Sequence, residues 1–177
     1  MKILAAYFLV IALAGAALAQ SPLSGLTITV KQQKTTGPAD SRGPSKEIKL
    51  DIEVFNTLPT TNTFNLDVFF VGTFNQDKDV QRFIRKSNKF QPSFQPTEKQ
   101  TFQADSILLQ PLKRKKEANE FYPSGFKNFS NYEGYIIRAS SGGTNLKTIS
   151  SSPALDRLAK DTNRMAALES GATVPVK

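Results

Sequence analysis

Between residues 47 and 54, apolar and charged positions alternate without a break. Ile48, Leu50, Ile52 and Val54 fall on one side, and Glu47, Lys49, Asp51 and Glu53 on the other. That period of two belongs to a strand with one buried and one wetted face; a helix would scatter the four aliphatics around its circumference. Leu26, Ile28 and Val30 alternate with Thr27, Thr29 and Lys31 in the same way. Residues 64–74 differ. Phe64, Leu66, Val68 and Phe70 line one face, while Phe69 and Val71 make the other face apolar too, so this strand is expected at the centre of a sheet. Weaker alternation predicts strands over 80–85 and 101–109. Residues 134–139 form another, with Gly142-Gly143 as a tight turn and 145–149 as the returning hairpin partner.

About seven short strands separated by turn-rich connections predict a mainly β domain built as an antiparallel sandwich. Strands do not alternate with helices, so a parallel α/β sheet is not expected. Residues 34–44, 91–100 and 111–125 are rich in glycine, proline or charge and are read as loops. The pattern changes at the C-terminus. Ser152 is placed to cap a helix, Pro153 suits its first position, and Leu155, Leu158, Ala159, Met165 and Ala166 recur at helical spacing. Gly171 is its stop. One helix is therefore expected over 152–170, packed on the sandwich or covering one of its edges, with 171–177 as a tail.

The N-terminus follows neither pattern. Lys2 precedes an apolar run over residues 3–18 that ends in Ala17-Leu18-Ala19. This is the charged, apolar and small-residue sequence of a secretory signal peptide, with cleavage expected before Gln20. The run is short of the ~20 apolar residues of a membrane span, and no later segment is long and apolar enough to supply one. Residues 20–151 are then the sandwich domain of an exported chain. The absence of cysteine excludes a lipid-anchored lipoprotein and fits a bacterial periplasmic or secreted protein that relies on its core instead of disulfides.

Histidine is absent as well. The two absences remove Ser-His-Asp triads, histidine metal ligands, thiolate nucleophiles, zinc knuckles and iron–sulfur sites. Carboxylate, lysine, serine and tyrosine chemistry remains. Ser124-Gly125-Phe126-Lys127 matches the S-x-x-K pattern of serine–lysine acyl enzymes, but the supporting motifs of those enzymes are missing. Asp77 and Asp79 flank Lys78 without the further ligands of a calcium loop. No glycine-rich segment continues into the lysine-serine pair of a phosphate loop. No cofactor, metal or catalytic residue is expected, and the chain is read as a non-enzyme. A small hydrolase using carboxylates or Ser124/Lys127 is the alternative.

Net charge is +8, of which Lys2 supplies one. Two basic groups stand out. Lys113-Arg114-Lys115-Lys116 is followed by Tyr122, and Arg82, Arg85, Lys86 and Lys89 are interleaved with Phe83 and Phe90. Two readings are open. Either the charges are solvated and the phenylalanines turn into the core, or these residues form an anionic-ligand surface on which aromatic rings stack. Partners of the second kind would be a cell-wall polymer, an acidic glycan or an envelope protein; export argues against nucleic acid.

The last third also carries Tyr132-Glu133-Gly134-Tyr135-Ile136-Ile137-Arg138, a glycine turn, and Ser150-Ser151-Ser152-Pro153-Ala154-Leu155 opening the final helix. In these features it resembles small exported bacterial β-sandwich proteins, in which a tryptophan often takes a place like that of Tyr135. The resemblance implies an immunoglobulin-like sandwich with one terminal helix, and no activity or site residue. The function expected is thus a non-catalytic structural or binding module at the cell envelope, with a carbohydrate- or anionic-polymer-binding protein as the alternative.

Overall fold

A computed structural model describes residues 25–40, 43–76, 79–109 and 132–176. Along the chain these form β1 (Leu26–Asp40), β2 (Gly43–Asn56), β3 (Asn62–Thr63), β4 (Asn65–Gln76), β5 (Asp79–Phe90) and β6 (Ser93–Phe94). Then come β7 (Lys99–Leu109), β8 (Tyr132–Ser141), β9 (Thr144–Ser150), α1 (Pro153–Lys160), α2 (Thr162–Glu169) and β10 (Val174–Pro175). The domain is mainly β, and every strand pair is antiparallel. One sheet has the order β1-β2-β7, a second β10-β5-β4-β8-β9, and β3 pairs with β6. Among the described residues, no helix is long and apolar enough to cross a membrane.

The alternating residues go where their period sends them. Ile48, Leu50, Ile52 and Val54 of β2 are buried with Leu26 and Ile28 of β1 and Ala104, Ile107 and Leu109 of β7. They share one cluster with Phe64, Leu66, Val68 and Phe70 on or beside β4, and with Ile137 and Ala139 of β8. The two larger sheets therefore contribute to a single core. β4 lies in the middle of its sheet, as its two apolar faces require. Phe69 and Val71 enter a second cluster with Ile136, Leu155, Leu158, Met165 and Leu168, so the helices cover the outer face of the five-stranded sheet.

Three expectations change. The single helix over 152–170 is two helices. Asp161 ends α1 in an extended conformation, its N–H bonded to the Leu158 carbonyl, and its carboxylate caps α2 by accepting from the Arg164 N–H at 3.1 Å. An aspartate followed by threonine and asparagine favours capping over helix continuation. Ser152, Pro153 and Gly171 act as expected: Ser152 accepts from the Leu155 N–H, and Gly171 takes φ +90° as the chain leaves α2. Next, residues 34–44 are largely strand. Pairing of β1 with β2 continues through Thr36 opposite Lys46 and resumes at Ala39 opposite Pro44, with the register shift in between. Pro44 is tolerated because β2 has passed the end of its pairing with β7, at Lys46. Finally, 91–100 contains the short β6, and Phe94 is fully buried with its ring stacked on Phe64 at 5.2 Å.

Two local constraints hold the ends of the core. At Gly134 an added Cβ would lie 1.9 Å from Ser151 Oγ and 2.8 Å from Leu155 Cδ1. That closeness lets Ser151 Oγ accept from the Tyr135 N–H at 3.0 Å and seats α1 on β8. At the other end, buried Asn56 satisfies its whole amide. Its Nδ2 donates to the carbonyls of Thr60 (2.9 Å) and Gln95 (3.0 Å), and its Oδ1 accepts from the Leu58 N–H and from Asn62 Nδ2, each at 3.2 Å. One side chain thus ties the loop after β2 to the turn before β7. Asn56→Ala removes four hydrogen bonds that tie the two loops together and is expected to cost about 1–3 kcal/mol in urea unfolding; a loss below about 0.5 kcal/mol would show that the loops hold without it.

Candidate functional site

Three of the four basic residues singled out on β5 turn toward protein partners. Arg82 is 3% exposed and makes a fork-like pair with Glu133: Nε to Oε2 at 2.7 Å and Nη2 to Oε1 at 2.6 Å. Glu133 belongs to β8, on the far side of β4, so the pair spans the central strand. Arg85 donates to the Leu108 carbonyl, and burial pushes its pKa down. Lys86 lies 3.1 Å from Asp105 and donates to the Ser106 carbonyl at 3.3 Å. Lys89 is exposed and makes no ion pair among the described residues. Phe83 is buried, with its ring edge-on to Phe74, and half-buried Phe90 packs on Phe102 at 5.4 Å. The aromatic rings of this segment therefore face protein, not solvent. Lys113, Arg114, Lys115, Lys116, Tyr122, Ser124, Lys127 and Asp77 lie outside the described residues; Asp79 opens β5 and is exposed.

The placement has a common logic. β7 is an edge strand, and an edge leaves backbone carbonyls without a ladder partner. Arg85 and Lys86 reach from the other sheet to two of those carbonyls. At the opposite seam Lys147 of β9 donates to the Leu26 carbonyl on edge strand β1 at 2.7 Å. Cations on one sheet close the edges of the other.

A further charged group lies on the outer face of the five-stranded sheet, which the sequence reading did not single out. Arg138 Nη1 donates to Glu169 Oε1 at 2.8 Å and Nη2 to Asp67 Oδ2 at 3.1 Å, and the guanidinium lies 5.4 Å from the centre of the Phe69 ring. Its pKa is raised, first by the hydrogen bond to Glu169 and then by Asp67. Asp67 faces Lys89 on one neighbouring strand and Arg138 on the other. The available signal was a lone carboxylate on the Phe69 face of an otherwise apolar strand.

The other titratable shifts follow from local hydrogen bonds and from burial. Asp105 is lowered by hydrogen bonds from Lys86 and Asn88, and Glu98 by the Gln95 N–H and by Gln100. Glu47 is lowered, chiefly by a hydrogen bond from Ser106. Burial raises the phenols of Tyr132 and Tyr135. Each of these groups is held more firmly in the form it already has at neutral pH. Among the described residues no three Asp or Glu side chains converge on a metal-sized site.

No protein-family model and no curated protein matches the chain. Among solved structures it is weakly similar to the beta-D-glucoside glucohydrolase from Trichoderma reesei, at 12% identity and a TM-score of 0.35. That match covers 72% of this chain and 18% of the enzyme. A likeness at that level carries no argument about fold or activity.

The lowered carboxylates contribute to the acid limb of stability. A carboxylate whose native pKa lies below its unfolded value stabilises the fold above the unfolded value, and that stability is lost as pH falls through the native one. The urea midpoint is expected to stay level down to about pH 5 and to fall as pH drops through and below about 4. Lys86→Met is expected to flatten that fall by freeing Asp105; an unchanged acid limb would show that the Lys86–Asp105 pair does not matter.

Proposed function

We propose that this chain is an exported bacterial protein, matured by loss of residues 1–19, whose domain is an immunoglobulin-like β-sandwich. It serves as a non-catalytic structural or binding module at the cell envelope. The sandwich reading is supported by the one cluster that β1, β2 and β7 share with β4 and β8. The observation that carries the module reading is where the charge goes. Arg82, Arg85, Lys86, Arg138 and Lys147 are all engaged by carboxylates or by backbone carbonyls. Perturbed side chains at a catalytic site are usually moved toward titration near working pH. Here the shifts of Asp105, Glu98 and Glu47 run the other way and keep them ionised. Such a pattern suits a surface built to be stable outside the cell.

Expression of the full chain in a bacterial host, followed by fractionation and intact mass measurement, tests the export half. The expected product begins at Gln20 and is recovered from the periplasm or medium. A product that keeps residues 1–19, or that stays in the cytosol, would overturn it.

A further inference from the structure

Two hollows flank the Arg138–Asp67 pair. The larger, about 490 Å³, lies between the β8–β9 hairpin and the helices, bordered by Arg138, Ser140, Asn145, Thr162 and Glu169 with an apolar side of Ala159, Met165 and Ala166. The smaller, about 410 Å³, is bordered by Asn65, Asp67, Lys89 and Gln91. Both fall within the size range of small-ligand sites. We propose that the larger hollow, a polar groove, binds a neutral saccharide. The proposal rests on the reading of the domain as a binding module and names its ligand class.

The argument is one of chemistry. The ionic side chains bordering the groove are Arg138 and Glu169, one of each sign, as Lys89 and Asp67 are in the smaller hollow, so neither has a net charge to offer an ion. Its guanidinium is already held by two carboxylates, and an anion would have to displace one of them. What remains free is hydrogen-bonding capacity. The hydroxyls of Ser140 and Thr162 make no hydrogen bond among the described residues, and Glu169 is one-third exposed. A sugar hydroxyl donates and accepts at once, which suits a border that carries both hydroxyl and carboxylate oxygens. The C–H face of a pyranose would lie on Ala159 and Ala166. Arg138 is fixed by Asp67, Glu169 and the Phe69 ring. The polar wall is therefore ordered before a ligand arrives, and binding does not have to order it.

The test uses residues 20–177 and amide NMR shifts. The neutral probes are cellotetraose, maltotetraose and chitotetraose, and heparin is the anionic one. At least one neutral probe is expected to give saturable shifts over 138–145 and 159–169, with a Kd of about 1 mM or tighter. Those shifts are expected to be unchanged between about 50 and 200 mM salt, a range over which polyanion binding weakens steeply. Ala166→Trp, which fills the groove from an exposed position, is expected to weaken binding by about tenfold or more; Thr162→Trp, one turn earlier on the same face of α2, does the same should the first variant fail to fold. Three results would overturn the proposal: no saturable shift with any neutral probe, binding untouched by both fillings, or salt-sensitive binding of heparin alone. Any of these would leave export and cleavage before Gln20 standing, whereas retention of residues 1–19 bears only on the export reading.

Discussion

Everything described here depends on β4 being apolar on both faces. Leu66, Val68 and Phe70 enter the core shared with the three-stranded sheet, and Phe69 and Val71 enter the cluster beneath the helices. A strand of this kind is stable only where both faces are covered. The need for a second cover explains the C-terminal helices. Neither is long enough to be stable alone in water, and each has eight residues. Burial of Leu155, Leu158, Met165 and Leu168 against the sheet holds them.

Covering the outer face has an electrostatic consequence. Polar side chains on that face lose water and must find partners within the protein. Asp67, Arg82, Glu133 and Arg138 are the charged residues concerned, and they resolve into Arg82–Glu133 and Asp67–Arg138–Glu169. Edge carbonyls claim Arg85, Lys86 and Lys147. Arg82, Arg85, Lys86, Arg138 and Lys147 therefore act within the fold.

The strands were legible because period two is a local property. In β2 and β4, each residue assigned to a face from its sequence neighbours is found on that face. The helix break was less legible, because Asp161 could equally be a surface residue of one continuous helix; only its extended backbone makes it a cap for both pieces. Residues 34–44 read as loop from their glycines and prolines, but pairing across the β1–β2 ladder outweighed local preference. The charge pairs of the outer face were the least legible element. Arg82 and Glu133 are 51 residues apart in sequence, and Arg138 and Glu169 are 31 apart. No local pattern distinguishes a cation bound for a partner that distant from one bound for solvent. For the same reason, two readings of β5 stayed open; its phenylalanines follow the core-facing one, while Arg82 and Arg85, expected in solvent under that reading, turn to protein partners.

The central claim is that the outer-face charges are structural partners of one another. A double-mutant cycle on Arg82 and Glu133 tests it most directly. Arg82→Met and Glu133→Leu are each expected to cost about 3–5 kcal/mol in urea unfolding, since each leaves a largely buried charge unpaired. The double variant is expected to cost much less than the two together, with a coupling energy of about 2 kcal/mol or more. Additive losses, or single losses below about 0.5 kcal/mol, would contradict the account and mean that Arg82 is free to serve a ligand.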